Sequence, residues 1–155
     1  MAKSLDVAAG AGGLSPYIVV RGAAKAIEFY KKAFGATELF RLVDPASGKI
    51  GHAELKIGNG LLMLSDEYPD FGALSPDSLG GACTKLHIDV PDAERTFKSA
   101  EAAGATVLRK LDLQFHGCRQ GLIADPFGHS WFISQRIETV SPDEMQERWN
   151  AMASG

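Results

Sequence analysis

His52 and Glu54 stand two residues apart in Lys49–Ile57, a stretch in which apolar and polar residues alternate strictly. Side chains of an extended strand point to opposite faces in turn, so Ala53, Leu55 and Ile57 share one side while His52, Glu54 and Lys56 share the other. A second alternating stretch, Cys83–Val90, sets Leu86, Ile88 and Val90 against Lys85, His87 and Asp89. If the two strands adjoin, His52, Glu54 and His87 offer two imidazoles and a carboxylate, a common metal donor set. The plainer reading is a hydrogen-bonded polar lining. Arg119 opens a later strand and is a candidate contact for an anionic ligand group, with a surface salt bridge as the alternative. His129 follows a turn glycine, where a structural hydrogen bond suits it better than catalysis. No Ser-His-Asp or Cys-His arrangement can be claimed from spacing, and there is no Gly-rich phosphate loop.

The elements that position these residues come in two sets. Asp125–Ser134 (DPFGHSWFIS) reads as a turn feeding a buried strand, with Asp-Pro and Phe-Gly supplying the turn chemistry. Gly104-Ala105-Thr106 repeats Gly35-Ala36-Thr37 at an offset of 69 residues (104 − 35). The same offset lays Ser130–Ser134 over Leu61–Ser65, which points to a duplicated module of roughly 65–70 residues. In the first copy, strand Ser15–Arg21 precedes a helix over Ala23–Phe34, whose apolar face carries Ile27, Tyr30 and Phe34 and whose C-cap is Gly35. Strands Thr37–Val43, Lys49–Ile57 and Leu61–Asp66 follow. In the second copy, strand Cys83–Val90 precedes a helix with Ala93, Phe97, Ala100 and Ala103 on one face, then strands Thr106–Arg109, Arg119–Ala124 and Ser130–Gln135. Both copies read β-α-β-β-β. The fold class is therefore α+β, with residues 15–66 and 83–135 as tandem modules.

Residues 67–82, rich in Pro, Gly, Ser and Asp, form the linker, long enough to act as a flap over a pocket. Leu111–Cys118 reads as a loop exposing Phe115 and His116. Residues 1–14 read as a loose tail without the charge and apolar core of a signal peptide. In the extension 136–155, Ser141-Pro142-Asp143-Glu144 carries a capping signature for a helix over about 142–152, with Met145, Trp149 and Met152 on one face. That helix is expected to dock on the body.

Composition narrows the function classes. The chain is 45% hydrophobic and 23% charged, with a formal net charge of −3, so it carries no electrostatic footprint for nucleic acid. No apolar run approaches the ~20 residues that span a bilayer. Cys83 and Cys118 have neither CxxC spacing nor a disulfide framework, which suits reduced thiols in a cytoplasmic protein.

With these residues set out, the chain resembles the vicinal oxygen chelate superfamily of glyoxalase I, bleomycin-resistance proteins and extradiol dioxygenases, and within it the PhnB-like branch. The matching pieces are Pro16–Val20 (PYIVV), Ala26–Ala36 (AIEFYKKAFGA), His52–Gly58 (HAELKIG), Gly104–Leu108 (GATVL) and Asp125–His129 (DPFGH). The resemblance implies that each module curls its sheet into a half-barrel, with helices on the convex side and a ligand cavity on the concave side. It also implies that divalent-metal ligands, where present, come from the first and last strands of each module. The last-strand positions are Met63 and Phe132, neither of which supplies a hard donor. The first-strand positions are Ser15 or Tyr17, and Lys85 or His87. The usual metal is thus expected to be absent, and no other cofactor is expected. The expectation is a homodimer that binds a small organic molecule. Met63, Phe115 and Phe132 would give apolar contact, and His52, Glu54, His87 and Arg119 would orient polar groups. The alternatives are a divalent-metal-dependent lyase, isomerase or dioxygenase, and a structural or regulatory dimer with a vestigial pocket.

Overall fold

A computed structural model describes residues 13–155; the tail expected at the N-terminus falls almost wholly outside these residues. Eight strands and four helices follow in the order β1 Tyr17–Val20, α1 Ala23–Phe34, β2 Thr37–Val43, β3 Ile50–Ile57, β4 Gly60–Asp66, α2 Pro76–Leu79, β5 Lys85–Asp89, α3 Ala93–Ala103, β6 Thr106–Leu113, β7 Cys118–Ala124, β8 Ser130–Arg136 and α4 Pro142–Ala153. The strands form two four-stranded sheets with the orders β1-β4-β3-β2 and β5-β8-β7-β6. In each, the first strand runs parallel to the last and the other neighbours are antiparallel. Tyr17 pairs with Met63 and His87 pairs with Phe132, so the sequence offset corresponds to one topological position.

Helices α1 and α3 each lie on their own module's sheet because the apolar faces match. Ala23, Ala26, Ile27, Phe29, Tyr30 and Ala33 of α1 are buried, as are Ala53, Leu55, Leu62 and Leu64 of the sheet beneath. Burial of one such large side chain contributes roughly 1.5–3 kcal/mol. Gly121 lets α3 lie close on β7: a Cβ there would sit 2.4 Å from the Phe97 ring. The residue before α1 is Gly22, which has no side chain to cap with. Asp66 at the end of β4 caps instead, its Oδ1 accepting from the N–H groups of Gly22 (2.9 Å) and Ala23 (2.8 Å) and its Oδ2 from Ile50 (2.8 Å). Gln135, at the offset of 69 from Asp66, accepts from the Ala93 N–H (3.0 Å) at the start of α3. There Asp92 adds a local cap to Arg95 (3.0 Å).

The modules are joined through α1 and α3 and through the Asp125–His129 turn. Asp125 is buried, and four donors converge on its carboxylate: the Phe127 and His129 N–H groups, the Tyr30 hydroxyl (2.6 Å) and the Trp131 indole (2.9 Å). Burial first, then the Asp125 charge, pushes the Tyr30 phenol well above its ordinary pKa. His129 holds the Val19 carbonyl at 3.0 Å, the structural role expected of it.

Three segments differ from the expectations. Residues 67–82 are ordered by their own hydrogen bonds: Pro69–Phe71 makes a 3-10 turn, Tyr68 bridges to Ala73, and α2 follows. Glu67 accepts from Ser75 N (2.9 Å) and Oγ (2.6 Å), from Ser78 Oγ and from Arg21 (3.1 Å). Those bonds, Ser75 foremost, hold its carboxyl down at about 2. The loop expected over Leu111–Cys118 shrinks to 114–117, because β6 continues past two irregularities to pair Asp112 with Gln120 and Leu113 with Arg119. In α4, Ser141 caps as expected, accepting from the Glu144 N–H (3.2 Å), yet none of the helix's residues is buried. The helix is held by Arg148, which donates to the Phe115 carbonyl (3.0 Å) and to Glu138 (2.7 Å), while the Trp149 ring lies 5.4 Å from the Phe115 ring. Trp149 is 54% exposed, so its truncation belongs to the rim class, about 1 kcal/mol. No helix among the described residues is long and apolar enough to cross a membrane.

Candidate functional site

Because Ala53 and Leu55 are buried against α1, the alternate residues of β3 face the open, concave side of the first sheet. Strand register then sets Tyr17, Met63, Glu54 and Phe40 in one row across β1, β4, β3 and β2. His52 lies beside this row and links two of its members. Its Nε2 is 3.1 Å from Glu54 Oε1 and its Nδ1 is 3.3 Å from the Tyr17 hydroxyl. With Glu54 ionised, Nε2–H donates to the carboxylate and Nδ1 accepts from the phenol. The His52 ring also sits 5.5 Å from the Tyr17 ring and 5.7 Å from that of Phe40. Glu54 is 9% exposed, and its Oε2 has no hydrogen-bond partner among the described residues.

Beyond Tyr17 the surface dips into an open cavity of about 470 Å³, bordered by Gly51, Ser65, Tyr68 and Phe71. The Tyr68 hydroxyl there is buried and has no partner among the described residues. One end of the 67–82 segment thus borders the site. Its other end is fixed to the second module, where Gly128 has φ +91° and a Cβ on it would lie 2.8 Å from Pro76.

The second sheet presents a corresponding row of different chemistry: His87, Phe132, Leu122 and Arg109. Arg109 stacks over the Phe132 ring at 5.3 Å and donates to Gln120 (3.2 Å). His87 meets the Phe132 ring edge-on and lies 3.7 Å from the Asp89 carboxylate.

The expected site residues therefore divide. His52, Glu54 and Met63 come together on the first sheet, and His87 and Phe132 on the second. The trio His52, Glu54 and His87 does not assemble: among the described residues no group of three His, Cys, Asp or Glu side chains is placed to hold a metal. The superfamily's metal positions carry the register pairs Tyr17–Met63 and His87–Phe132, in which one imidazole and one phenol are the only donors besides a thioether. That set does not fit a hard divalent ion. Arg119 falls on the other side of its sheet, because Gln120 and Leu122 take the concave positions. It lines a cavity of about 570 Å³ over α3, with Phe97 and Val107. Phe115 lies under α4. Sequence reasoning missed Phe40, Arg109 and Tyr68. Phe40 and Arg109 are 69 residues apart (109 − 40) and hold equivalent ends of the two rows, so the repeat offset carried the signal for both.

Comparison with known proteins adds the relatives. Residues 9–133 match the family model of the Glyoxalase/Bleomycin resistance protein/Dioxygenase superfamily. An uncharacterised protein of Mycobacterium tuberculosis H37Rv is 43% identical over 145 residues, covering 92% of this chain and 85% of its own length. Among solved structures, TioX from Micromonospora sp. ML1 is 26% identical with a TM-score of 0.62, covering 83% of this chain and 99% of that one. The PhnB protein of Bacillus cereus shares the fold at 16% identity and a TM-score of 0.60, over 79% of this chain and 98% of its own. A duplicated β-α-β-β-β chain whose family match runs through both copies has one place among known proteins: it belongs to the glyoxalase/bleomycin resistance protein/dioxygenase superfamily.

Proposed function

We propose that this protein binds a small organic molecule on the concave face of its first module, without the superfamily's usual metal. The observation that carries the reading is the Tyr17–His52–Glu54 chain on a sheet face that no helix covers. It gives a polar floor with fixed hydrogen-bond directions, flanked by Met63 and Phe40, the mixture expected of a ligand site. A metal-assisted lyase, isomerase or dioxygenase would need an ion to polarise a substrate oxygen, and the donor set described above argues against it. The protein acts as a homodimer in the cytoplasm. Its edge strands β2 and β6 expose Leu42, Val43, Leu108 and Leu113, which a second copy would cover, and Cys83 and Cys118 are unpaired thiols.

A protein-observed NMR screen of small organic fragments tests the reading. Hits are expected to shift the Met63 methyl and the His52 ring; hits confined to the cavity over α3 would refute it. Mass-spectrometric metal content after dialysis is expected to be far below one ion per chain. Near-unit occupancy that disappears in His52→Ala and His87→Ala would promote the enzyme instead. Light scattering that shows a monomer at micromolar concentration would remove the dimer.

A further inference from the structure

The two modules meet at two junctions, and at each the turn before one module's last strand lies against the other module's first strand. At the first junction the Asp125–His129 turn lies on β1. His129 Nε2 donates to the Val19 carbonyl (3.0 Å), and the Phe127 ring meets those of Phe29 and Tyr30. At the second junction the turn at 58–60 lies beside β5. Strand register makes the positions correspond. Val19 pairs with Ser65 and Asp89 with Ser134, while Gly60 stands 69 residues before His129 (129 − 60).

The side chains do not correspond. Between Asp125 and His129 the second module has Pro126, Phe127 and Gly128, whereas between Ile57 and Gly60 the first has only Gly58 and Asn59. Neither the phenyl ring nor the imidazole has a counterpart. Beside these glycines the second junction opens into a cavity of about 610 Å³, with Phe34, Leu62, Leu86, Ile88 and Trp131 in its walls. Gly60 and Asp89 line it as well. Strand β5 pairs with β8 alone. The Val90 N–H donates to the Ser134 carbonyl (2.8 Å), which in a parallel ladder turns the main chain of residues 86, 88 and 90 toward β8 and that of 87 and 89 outward. The Asp89 carbonyl thus holds the place that the Val19 carbonyl holds in the first module, but Gly60 has no side chain with which to donate to it.

We propose that this cavity is a second binding site, taking a flat aromatic molecule with a ring N–H. The ring fills the apolar space that Phe127 fills at the other junction, and the N–H does for Asp89 what His129 does for Val19. A charged body would have to leave water for apolar walls, so a neutral ring is the better occupant. Leu86, Ile88 and Trp131 lie on the helix side of the second sheet, so the site is separate from the concave face of the first module.

The test titrates indole and benzofuran into isotope-labelled full-length protein; the two have one shape, and the second puts an oxygen where the first has its N–H. Shifts of the Gly60 and Asp89 amides and the Trp131 ring report binding. Indole is expected to bind about five-fold tighter than benzofuran, the difference one neutral hydrogen bond makes. Gly60→His should fill the cavity from within and abolish binding. Gly60 lies outside the left-handed region, and a Cβ there would sit 3.4 Å from the Ile57 carbonyl oxygen, so the side chain can be placed. Thr96→Trp closes the cavity from α3 and decides the matter if Gly60→His fails to fold. Unchanged spectra elsewhere show that a variant is folded. Equal affinity for the two probes would overturn the proposal, as would no shift at Gly60, Asp89 and Trp131 at millimolar indole. Binding that persists at those residues in the folded variants would also overturn it. Shifts confined to Met63 and His52 would do the same while supporting the concave site.

Discussion

The two modules share a topology, a strand register and a long-range helix cap, yet differ at nearly every concave position. Tyr17, Met63, Glu54 and Phe40 form the row across the concave face of the first sheet; His87, Phe132, Leu122 and Arg109 form that of the second. The helix-facing positions stayed apolar, as Leu55 and Leu64 in the first sheet and Ile123 and Ile133 in the second. What was free to change is the surface that no helix covers. After a duplication, packing constrains the convex side of each sheet, while the concave side is shaped by whatever it must bind. The buried acid of the first module meets an apolar Leu122 in the second, whose own charge is the cation Arg109.

The largest test of this comparison strikes the one carboxylate that both modules use. Asp125→Ala leaves the Tyr30 hydroxyl and Trp131 indole without an acceptor and frees the turn. It should cost about 3–5 kcal/mol in urea denaturation; a loss below about 1 kcal/mol would mean that the modules do not depend on it. Next come the two caps. Asp66→Ala abandons three N–H groups and should cost about 2–4 kcal/mol, whereas Gln135→Ala abandons one, at about 1 kcal/mol, because Asp92 remains. Equal losses would contradict the asymmetry.

A third test uses acid. Glu67 opens the linker directly after the first module, while the residue 69 later is Arg136 (136 − 67). The folded-state pKa of Glu67 lies at about 2, below its ordinary 4.5. Its contribution to stability is therefore full above pH 4.5 and is lost as pH falls toward 2. Glu67→Gln should flatten the acid limb of the stability profile in that window. It should not abolish it, since Glu38, held down to about 2 chiefly by Arg41, titrates there too. An unchanged acid limb would show that the linker bonds do not form in solution. The smallest effect on stability is expected from Glu54→Leu, which copies Leu122 of the second module. The change removes the unpartnered Oε2 but also the Oε1 bond to the partly exposed His52, so stability should shift by no more than about 1 kcal/mol while ligand binding is lost.

Much of the fold was legible because it rests on local alternation and punctuation. Ala23–Phe34 and Thr37–Val43 run where the sequence places them, since Gly22, Gly35 and the apolar stripe fix their ends. The strand after Gly104 was cut short because the irregular pairing of β6 hides its period, and the segment after Glu67 owes its order to side-chain bonds that have no period at all. His52, Glu54 and Met63 could be placed on one face by counting in twos along hairpin-linked strands. Arg119 could not, because its face depends on where the turn at 114–117 closes and hence on which residues of β7 meet β6. The joining of His52 to Tyr17 depends on β1 pairing beside β4, a contact across 35 residues that no local pattern encodes.

The distant cap on α1 also bears on how the chain is made. The helix begins at Ala23, but the carboxylate that satisfies its first amides lies 43 residues further on. A chain emerging from the ribosome has that helix start unsatisfied until β4 arrives, so α1 gains its final stability late, together with its sheet. The second module escapes part of this delay, since Asp92 caps α3 from the adjacent position. On a truncation series released during synthesis, protection of the α1 amides should switch on in one step as residue 66 clears the exit tunnel, whereas α3 should gain protection in two.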